Sequence, residues 1–519
     1  MDPLTYIPVS RFQKTCEKGF CLASLTLLVF HMMHCPYRDI LANYGIFIDI
    51  ERWFGLFLLV LVLLYLLIIA FKYPENFCRI RAFFRKLKSF EQGYMFYIFL
   101  WYFFTVFLRQ ILFASSSGTN YFSSNDLWMF ITGLMAFVMF PMARVLGSGK
   151  MKRIFNLMLK LILLPHLVFF SWALWQYLHL SEVVFPSGSV LKMTEYSMEI
   201  GSNRNTVGAY GVSMMVICLY LIVTEKSWQR FLYFYGVVVY SAVLILSNCR
   251  TSWYTALFSI TMFGFFFVWN HFHDRHILIR LGSGILVAAI GVFLFYWLRN
   301  GLFLLLQSAI VRFSATETTV SAADFSSHTI CIVPLASSRH LSSAIPLATT
   351  IDDYLRTYKG DLNGREAIYR AAFYLMFHSR YCFLFGVTPV DVGIYLFGLF
   401  GVNKVFPSAH NFFLQMGVSY GVPCMLITIA FTISLLVRSV RLLFIYKETL
   451  PPGFWMIPIV SLSMLAQDMT EAYLNSGGTL VCVFFYVFSG WIVAMDREQR
   501  QRRCTKERKN LKGTFPKRK

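Results

Sequence analysis

About twelve stretches of roughly 20 mostly apolar residues recur along the chain, and they decide what it can fold into. A helix rises about 1.5 Å per residue, so each stretch is long enough to cross the hydrocarbon core of a membrane. Hydrophobic residues make up 57% of the 519 residues, far more than a soluble core needs. We therefore predict an all-α polytopic bundle of about 12 transmembrane helices. The predicted spans are residues 19–35, 53–71, 94–113, 127–146, 155–179, 206–224, 231–247, 252–270, 281–298, 411–437, 453–470 and 477–495.

Basic residues are distributed unevenly between the predicted connections, and this distribution indicates the orientation of the chain. The formal net charge is +21. Lys and Arg are abundant in the connection 72–91 and in the tail 497–519, whereas "ASSSGTNYFSSND" and "TEAYLNSGG" contain neither. Cytoplasmic connections carry the excess of Lys and Arg, so both termini are predicted to be cytoplasmic. The basic tail is expected near anionic membrane lipids, and nucleic acid is not an expected partner.

One long break in the hydropathy divides the chain. Residues 1–298 hold predicted helices 1 to 9, residues 299–409 form a large extracytoplasmic loop, residues 410–495 hold helices 10 to 12, and residues 496–519 are a basic cytoplasmic tail. Within the loop, "NGREAIYRAAFYLMFHSR" repeats apolar residues at helical spacing, which predicts an amphipathic helix with Arg365 in its first turn. The 11 cysteines show no CxxC pair and no metal-ligand spacing, so we expect no disulfide framework and no zinc site.

Four cationic or imidazole side chains lie where Lys and Arg should be scarce. Arg204, Arg250, Arg365 and His410 are at the predicted outer ends of spans or in the long loop. The positive-inside rule disfavours arginine at such places. A guanidinium retained there indicates an anionic partner, because its planar fork binds phosphate or carboxylate oxygens in pairs.

Each of these side chains also has a purely structural interpretation. Arg204 is compatible with a solvated helix start, and Arg365 with a surface ion pair to Glu366 or Asp361, a kind of pair that stabilises little. A single His410 is more often an interfacial histidine than a catalyst. Arg250 favours function more strongly, because the short turn "SNCRTS" leaves its side chain little room to reach water away from the bundle.

Four motifs taken in order resemble the O-antigen ligase and polysaccharide polymerase superfamily of bacterial envelopes. The motifs are "SNRNTVGAYGVSMMV", "LSNCRTSWYTAL", "NGREAIYRAAFYLMFHSRYCFLFGV" and "SAHNFFLQMGVSYGVPCM", of which the last two are the most specific. The resemblance covers about half of the chain, from about Ser202 to Glu471. It implies a bundle of about a dozen helices with a large outer loop between the ninth and the tenth, as in the independent count above.

The resemblance also implies an activity. Members of this superfamily transfer a glycan from a polyprenyl diphosphate, here undecaprenyl diphosphate, to an acceptor hydroxyl at the outer face of the bacterial cytoplasmic membrane. A single displacement would invert the anomeric configuration, and arginines would replace a divalent metal, so no metal or cofactor is expected. The residues implied are His410 as general base, Arg204, Arg250 and Arg365 as diphosphate-binding groups, and Asn411, Asn205 and Glu471 as supporting groups, with Asp468 and Glu471 both able to orient His410 or bind sugar.

Two questions stay open at this stage. A transporter or flippase of a lipid-linked glycan is the alternative function, although such proteins usually show internal repeats and ionisable residues inside their spans. Within the superfamily the sequence does not separate a ligase, which joins a glycan to a lipid or protein acceptor, from a polymerase, which extends a glycan. We favour the polymerase type slightly, because nothing in the outer loop indicates a dedicated protein acceptor.

Overall fold

The computed structural model describes most of the C-terminal four-fifths of the chain. The described residues are 90–117, 133, 148–178, 183–184, 190–194, 197–200, 204–225, 228–272, 274–320, 365–388, 392–393, 396, 408–446, 450, 453–475 and 479–513. The predicted spans 19–35, 53–71 and 127–146 lie outside these residues, apart from position 133. The total of 12 spans therefore stays a prediction.

Helices make up nearly all of the described chain. In chain order the elements are α1 (Phe90–Ser117), α2 (Ser148–Leu178), β1 (Val183–Val184), β2 (Val190–Thr194), β3 (Ser197–Ile200), α3 (Arg204–Thr224), α4 (Arg230–Leu246), α5 (Arg250–His271), α6 (Ile277–Val320), α7 (Arg365–His378), α8 (Arg380–Phe385), α9 (Phe412–Tyr420), α10 (Val422–Val440) with a π-helical turn (Arg441–Ile445), α11 (Met456–Asp468), a 3₁₀ helix (Tyr473–Asn475) and α12 (Leu480–Gly513).

Seven of the described helices are long and apolar enough to cross a membrane: α1, α2, α3, α5, α6, α10 with its π-helical turn, and α12. Two further helices, α4 and α11, are apolar but shorter. Large apolar side chains point outward from this bundle, as Phe103 of α1 and Phe293 of α6 do at 50% and 68% exposure. An outer surface of this kind is suited to lipid and not to water.

A small antiparallel sheet between α2 and α3 was not predicted from the sequence. Its strand order is β1-β2-β3, with Val183 paired to Leu191 and Lys192 paired to Glu199. The bundle itself is all-α as predicted, and this small sheet is a local addition at one connection. The strands are two to five residues long, which is too short for the alternation of apolar and polar residues to stand out in the sequence.

Helix α6 continues beyond the predicted end of the ninth span. That end was placed at residue 298, whereas the helix runs over Ile277–Val320 and its apolar, membrane-length part over Ile277–Leu302. The first part of the predicted 299–409 loop is therefore helical. A lone glycine inside a helix costs only about 1 kcal/mol relative to alanine, so Gly301 does not end α6.

The predicted tenth span, 411–437, is two helices. Gly421 has φ 93° and ψ 163°, a conformation open to glycine, and it separates Tyr420 at the end of α9 from Val422 at the start of α10. Pro423 follows in the first turn of α10, where its missing N–H is tolerated. Proline cannot donate to the preceding turn, so it favours a new helix over continuation of α9.

The carbonyl groups before this break are satisfied by other parts of the chain. The N–H of Val387 donates to the carbonyl of Val418 at 2.7 Å, and the N–H of Thr388 donates to the carbonyl of Ser419 at 3.0 Å. The indole Nε1 of Trp101 donates to the carbonyl of Tyr420 at 2.8 Å. Broken helices occur at membrane depth only where protein groups or enclosed water replace the lost hydrogen bonds.

Helices α7 and α8 pack against α9 through a small apolar cluster that includes Ala372 and Val418. The two glycines of this region act differently. A Cβ at Gly417 would collide with Sδ of Met376 in α7, so this glycine permits a close approach of the two helices. Gly421 ends α9, and a Cβ there would collide with the backbone of α8.

At the other end of the bundle, Arg438 of α10 joins three helices. Its guanidinium donates to Glu91 of α1 and to Asp496 of α12, each at 2.6 Å, and both carboxylates are buried. Arg500 is also paired with Asp496, at 3.1 Å. Buried charges are tolerated when they are paired in this way, and here the pairs hold α1, α10 and α12 in register.

Replacing Trp101 by Phe is expected to destabilise the protein by about 1–3 kcal/mol. Phenylalanine keeps an aromatic ring at this position to stack on Phe385, while the Tyr420 carbonyl at the helix break would lose its donor. Thermal unfolding in detergent measures the change. Phe103→Leu on the outward face of α1 is the matched control and should unfold within a degree or two of the parent. Equal melting temperatures for the two variants would show that the indole bond does not support the break.

Candidate functional site

Residues 469–472, called the Glu471 turn below, join α11 to the 3₁₀ helix and contact three other elements. Nδ2 of Asn411, just before α9, donates to the carbonyl of Met469 at 2.8 Å. The hydroxyl of Thr470 donates to the hydroxyl of Thr251 in α5 at 2.9 Å. The third contact is made by the carboxylate of Glu471. Elements far apart in sequence therefore meet at one short segment.

The carboxylate of Glu471 is shared between two predicted site residues, Arg365 and His410. Oε1 accepts a hydrogen bond from the guanidinium of Arg365, and Oε2 lies 3.0 Å from Nδ1 of His410. The Glu471 side chain is only 5% exposed, compared with 17% for Arg365 and 16% for His410. The acid is thus almost enclosed, while its two partners reach the surface of the site.

Arg365 is held from two sides. Besides its bond to Glu471, its Nη1 donates to the hydroxyl of Thr251 at 2.9 Å. Arg365 is the first residue of α7, so these contacts also tie the start of that helix to α5 and to the Glu471 turn. Ordering an arginine in advance of binding reduces the side-chain entropy that an anionic ligand would otherwise have to remove.

His410 has an unusual backbone conformation. Its φ is 50°, in the left-handed region that non-glycine residues seldom occupy, at a cost of about 1–3 kcal/mol. Neighbouring groups maintain it: the hydroxyl of Tyr369 donates to the His410 carbonyl at 3.1 Å, and Asn411 caps α9 by accepting from the N–H groups of Phe413 and Leu414. Strain of this kind persists at sites where the surroundings over-determine the geometry.

Tyr369 is suited to this donor role. Burial raises the pKa of its phenol above the ordinary value, with the nearby Arg365 acting in the opposite direction and Glu471 adding to the rise. The phenol therefore keeps its proton at neutral pH and can donate to the His410 carbonyl.

The contact between Glu471 and His410 determines what the imidazole can do. An ionised carboxylate accepts hydrogen bonds and cannot donate them, so Nδ1 carries the hydrogen in this pair. In the neutral ring the lone pair is then on Nε2. A carboxylate behind an imidazole orients the ring and stabilises the cation that forms when Nε2 takes up a proton, which is the arrangement used for general-base catalysis.

The remaining predicted site residues lie at the same end of the bundle. Arg250 opens α5 directly before Thr251, and it is exposed. Arg204 and Asn205 open α3, whose Gly208 packs so closely that a Cβ there would collide with Ser252 of α5. The structure therefore joins Arg365, His410 and Glu471 by direct contact, and places Arg250, Arg204 and Asn205 at the adjoining helix ends.

Several contacts at the site were not predicted. Thr251, Thr470 and Tyr369 have common side chains with no chemical signature, so only the tertiary structure identifies them. Asp468 was expected to orient His410 or bind sugar, but its Oδ1 accepts from the backbone N–H groups that open the 3₁₀ helix. Among the described residues, no group of three or more His, Cys, Asp or Glu side chains is arranged to hold a metal ion.

A family model described as O-antigen ligase matches residues 235–429. Residues 235–429 are therefore similar to the O-antigen ligase family. This match confirms the resemblance seen in the sequence motifs, and together with the apolar helices it marks the protein as a multi-pass membrane enzyme that processes glycans. No curated protein matches the chain.

The segment matched by the family model contains some of the candidate site residues but not all of them. Arg250, Arg365, His410 and Asn411 lie within the matched segment. Glu471 lies about 40 residues beyond the end of the match, yet its carboxylate contacts two residues of the matched segment. The candidate site therefore includes the Glu471 turn, which lies outside the matched segment.

Replacing Glu471 by Ala is expected to lower the free energy of unfolding by about 3 kcal/mol, because Arg365 would remain largely buried without its counter-charge. Hydrogen exchange should accelerate at the amides of α7, which Arg365 anchors. The matched control is Glu498→Ala, which removes an exposed ion pair with Arg502 on α12 and should cost less than about 1 kcal/mol. Similar losses in the two variants would mean that the Arg365–Glu471 pair does not anchor α7.

Proposed function

We propose that the protein is a membrane glycosyltransferase that moves a glycan from a polyprenyl diphosphate, such as undecaprenyl diphosphate, to an acceptor hydroxyl. The observation that carries the proposal is the single buried carboxylate of Glu471 shared by Arg365 and His410. The pair places a phosphate-binding guanidinium and a proton acceptor on the same support. Acceptor glycans and lipid-linked acceptors both present the hydroxyl that this chemistry requires.

The proposed reaction is a single displacement. The acceptor oxygen forms a bond to the anomeric carbon while the bond from that carbon to the diphosphate oxygen breaks, and its electron pair leaves with the diphosphate. The hydroxyl proton passes to Nε2 of His410 and later to solvent. Glu471 stabilises the imidazolium formed at that moment. Attack opposite to the leaving group inverts the anomeric configuration.

Arginines supply the positive charge that a diphosphate leaving group requires. Arg365 is already ordered by Thr251 and Glu471, so its remaining N–H groups meet phosphate oxygens with little loss of side-chain freedom. Arg250 and Arg204 are exposed at neighbouring helix ends and add two charges at the same end of the bundle. Guanidinium groups stay protonated throughout, so charge building on the leaving oxygen is stabilised without a proton transfer.

We place the site at the extracytoplasmic face of the bacterial inner membrane, with the C-terminus in the cytoplasm. The support is the distribution of charge along the helices. The cations Arg438, Arg441, Arg500 and Arg502 lie at the end of α10 and α12 away from the site. By the positive-inside rule that end faces the cytoplasm.

His410→Ala is expected to lower glycan transfer by about 10²- to 10⁴-fold in membrane vesicles supplied with a polyprenyl-diphosphate oligosaccharide and a glycan acceptor. Chromatography of the lipid fraction should show unreacted donor, and donor binding should persist because the arginines remain. The matched control is His271→Ala, an exposed histidine at the far end of α5 that should retain full transfer. Transport of the lipid-linked glycan across the vesicle membrane with no transfer in the parent protein would favour a flippase and contradict the proposal.

Arg365→Lys keeps the charge but loses the fork that bonds Thr251 and Glu471 together, so kcat/KM for the donor is expected to fall by about 10²-fold. The matched control is Arg370→Lys, an exposed arginine one turn further along α7, which should change kcat/KM less than about threefold. The measurement is the initial rate at varied donor concentration. Equal values for the two lysine variants would exclude Arg365 from donor binding.

A further inference from the structure

Asp468 lies directly before the Glu471 turn, at the end of α11, and its side chain faces away from the surface of the site. The residue is completely buried, and Oδ1 accepts hydrogen bonds from the backbone N–H groups of Tyr473 and Leu474, the latter at 3.1 Å. Its carboxylate therefore closes the loop of chain that it precedes, connecting the end of α11 with the start of the 3₁₀ helix. Burying a carboxylate costs free energy unless hydrogen bonds compensate for the lost hydration.

The hydrogen bonds of Asp468 connect the two residues that flank the Glu471 turn on either side, Asp468 before it and Tyr473 after it. Three consecutive residues between its two ends bond to three different elements: Met469 to the N-terminal cap of α9, Thr470 to α5, and Glu471 to α7 and His410. A change in the path of this turn would therefore move all three contacts at once. The hydrogen bonds from Tyr473 and Leu474 to the buried Asp468 carboxylate hold the backbone of this turn in place.

We propose that Asp468 is a positioning residue for the transfer reaction, which acts by holding the Glu471 turn so that one carboxylate reaches both Arg365 and His410. This inference rests on the proposed function, because it assigns to Asp468 an effect on the same site. Its contribution is indirect, since it bonds to the backbone of Tyr473 and Leu474 and not to the imidazole. It explains why a buried acid is present three residues before the acid that contacts the site.

The geometry also indicates which property of Asp468 matters. Oδ1 makes both backbone bonds, whereas Oδ2 is buried with no hydrogen-bond partner among the described residues. One acceptor oxygen in the same place is therefore sufficient. Asparagine supplies that oxygen on a side chain of the same shape, so Asp468→Asn should preserve the turn, and Asp468→Ala should release it.

The test is a mutant cycle measured by transfer kinetics with the full chain in vesicles. Asp468→Ala is expected to lower kcat by about 10- to 100-fold, since a displacement of about 1 Å can have an effect of this size. Asp468→Asn is expected to stay within about threefold of the parent. If Asp468 acts through Glu471, the double variant Asp468→Ala/Glu471→Gln should be no slower than Glu471→Gln alone. Ser461→Ala, on the same helix and bonded to Ser489, is the control that should leave kcat unchanged.

The outcomes separate this inference from the function on which it rests. An unchanged rate for Glu471→Gln would count against the proposed function itself. A lowered rate for Glu471→Gln with multiplicative losses in the double variant, or with an unchanged rate for Asp468→Ala, would overturn the role of Asp468 alone. If Asp468→Ala does not fold, Asp468→Glu applies the same test, because the extra methylene shifts the acceptor oxygen. A lowered kcat at the melting temperature of the parent protein supports the proposal. A kcat and a melting temperature that both equal those of the parent contradict it.

Discussion

The site depends on one carboxylate that is shared. Glu471 is almost fully enclosed and bonds on one side to the Arg365 guanidinium and on the other to Nδ1 of His410. A buried carboxylate without partners would be strongly destabilising, so the acid keeps both partners close, and each partner is oriented by the acid. The result couples Arg365 on α7, the proposed phosphate-binding group, to His410 in front of α9, the proposed proton acceptor, although neither helix is adjacent to α11 in the sequence. The remaining contacts of the Glu471 turn, through Met469 and Thr470, extend the same constraint to the cap of α9 and to α5.

The helix break at Gly421 explains how this site is held at the end of an apolar bundle. The break also lies against α8, since a Cβ at Gly421 would collide with the backbone carbonyl of Leu384. The break exposes carbonyls at the end of α9, and these bind the chain that follows α8 and the indole of Trp101. Through these bonds α7 and α8 are anchored to α1 and α9 as well as to the Glu471 turn. The position of Arg365 is thus determined from both ends of the α7–α8 segment.

Features of the fold that have a local sequence signal were predictable, whereas features that depend on tertiary contacts were not. Apolar runs such as 155–179 and 252–270 are set by local composition, and helices of membrane length occur there. Arg365 and His410 were identified as candidates because they lie in motifs at predicted outer positions, where Lys and Arg should be scarce, and Glu471 was implied by the family resemblance. The sharing of one carboxylate was not predicted, because it requires three segments more than 40 residues apart to meet. The contacts of Thr251, Thr470 and Tyr369 carry no signal of their own. The break at Gly421 had a local sign, the nearby Pro423, which the apolar pattern on both sides outweighed.

The most direct test of the shared-carboxylate site is a cryo-EM map of the protein with a non-hydrolysable polyprenyl-diphosphate sugar. The account predicts density for the diphosphate against Arg365, with Arg250 and Arg204 nearby, and the anomeric carbon facing Nε2 of His410. Density for the diphosphate at the opposite end of the bundle, near Arg438, or a sugar that lies away from His410, would contradict it.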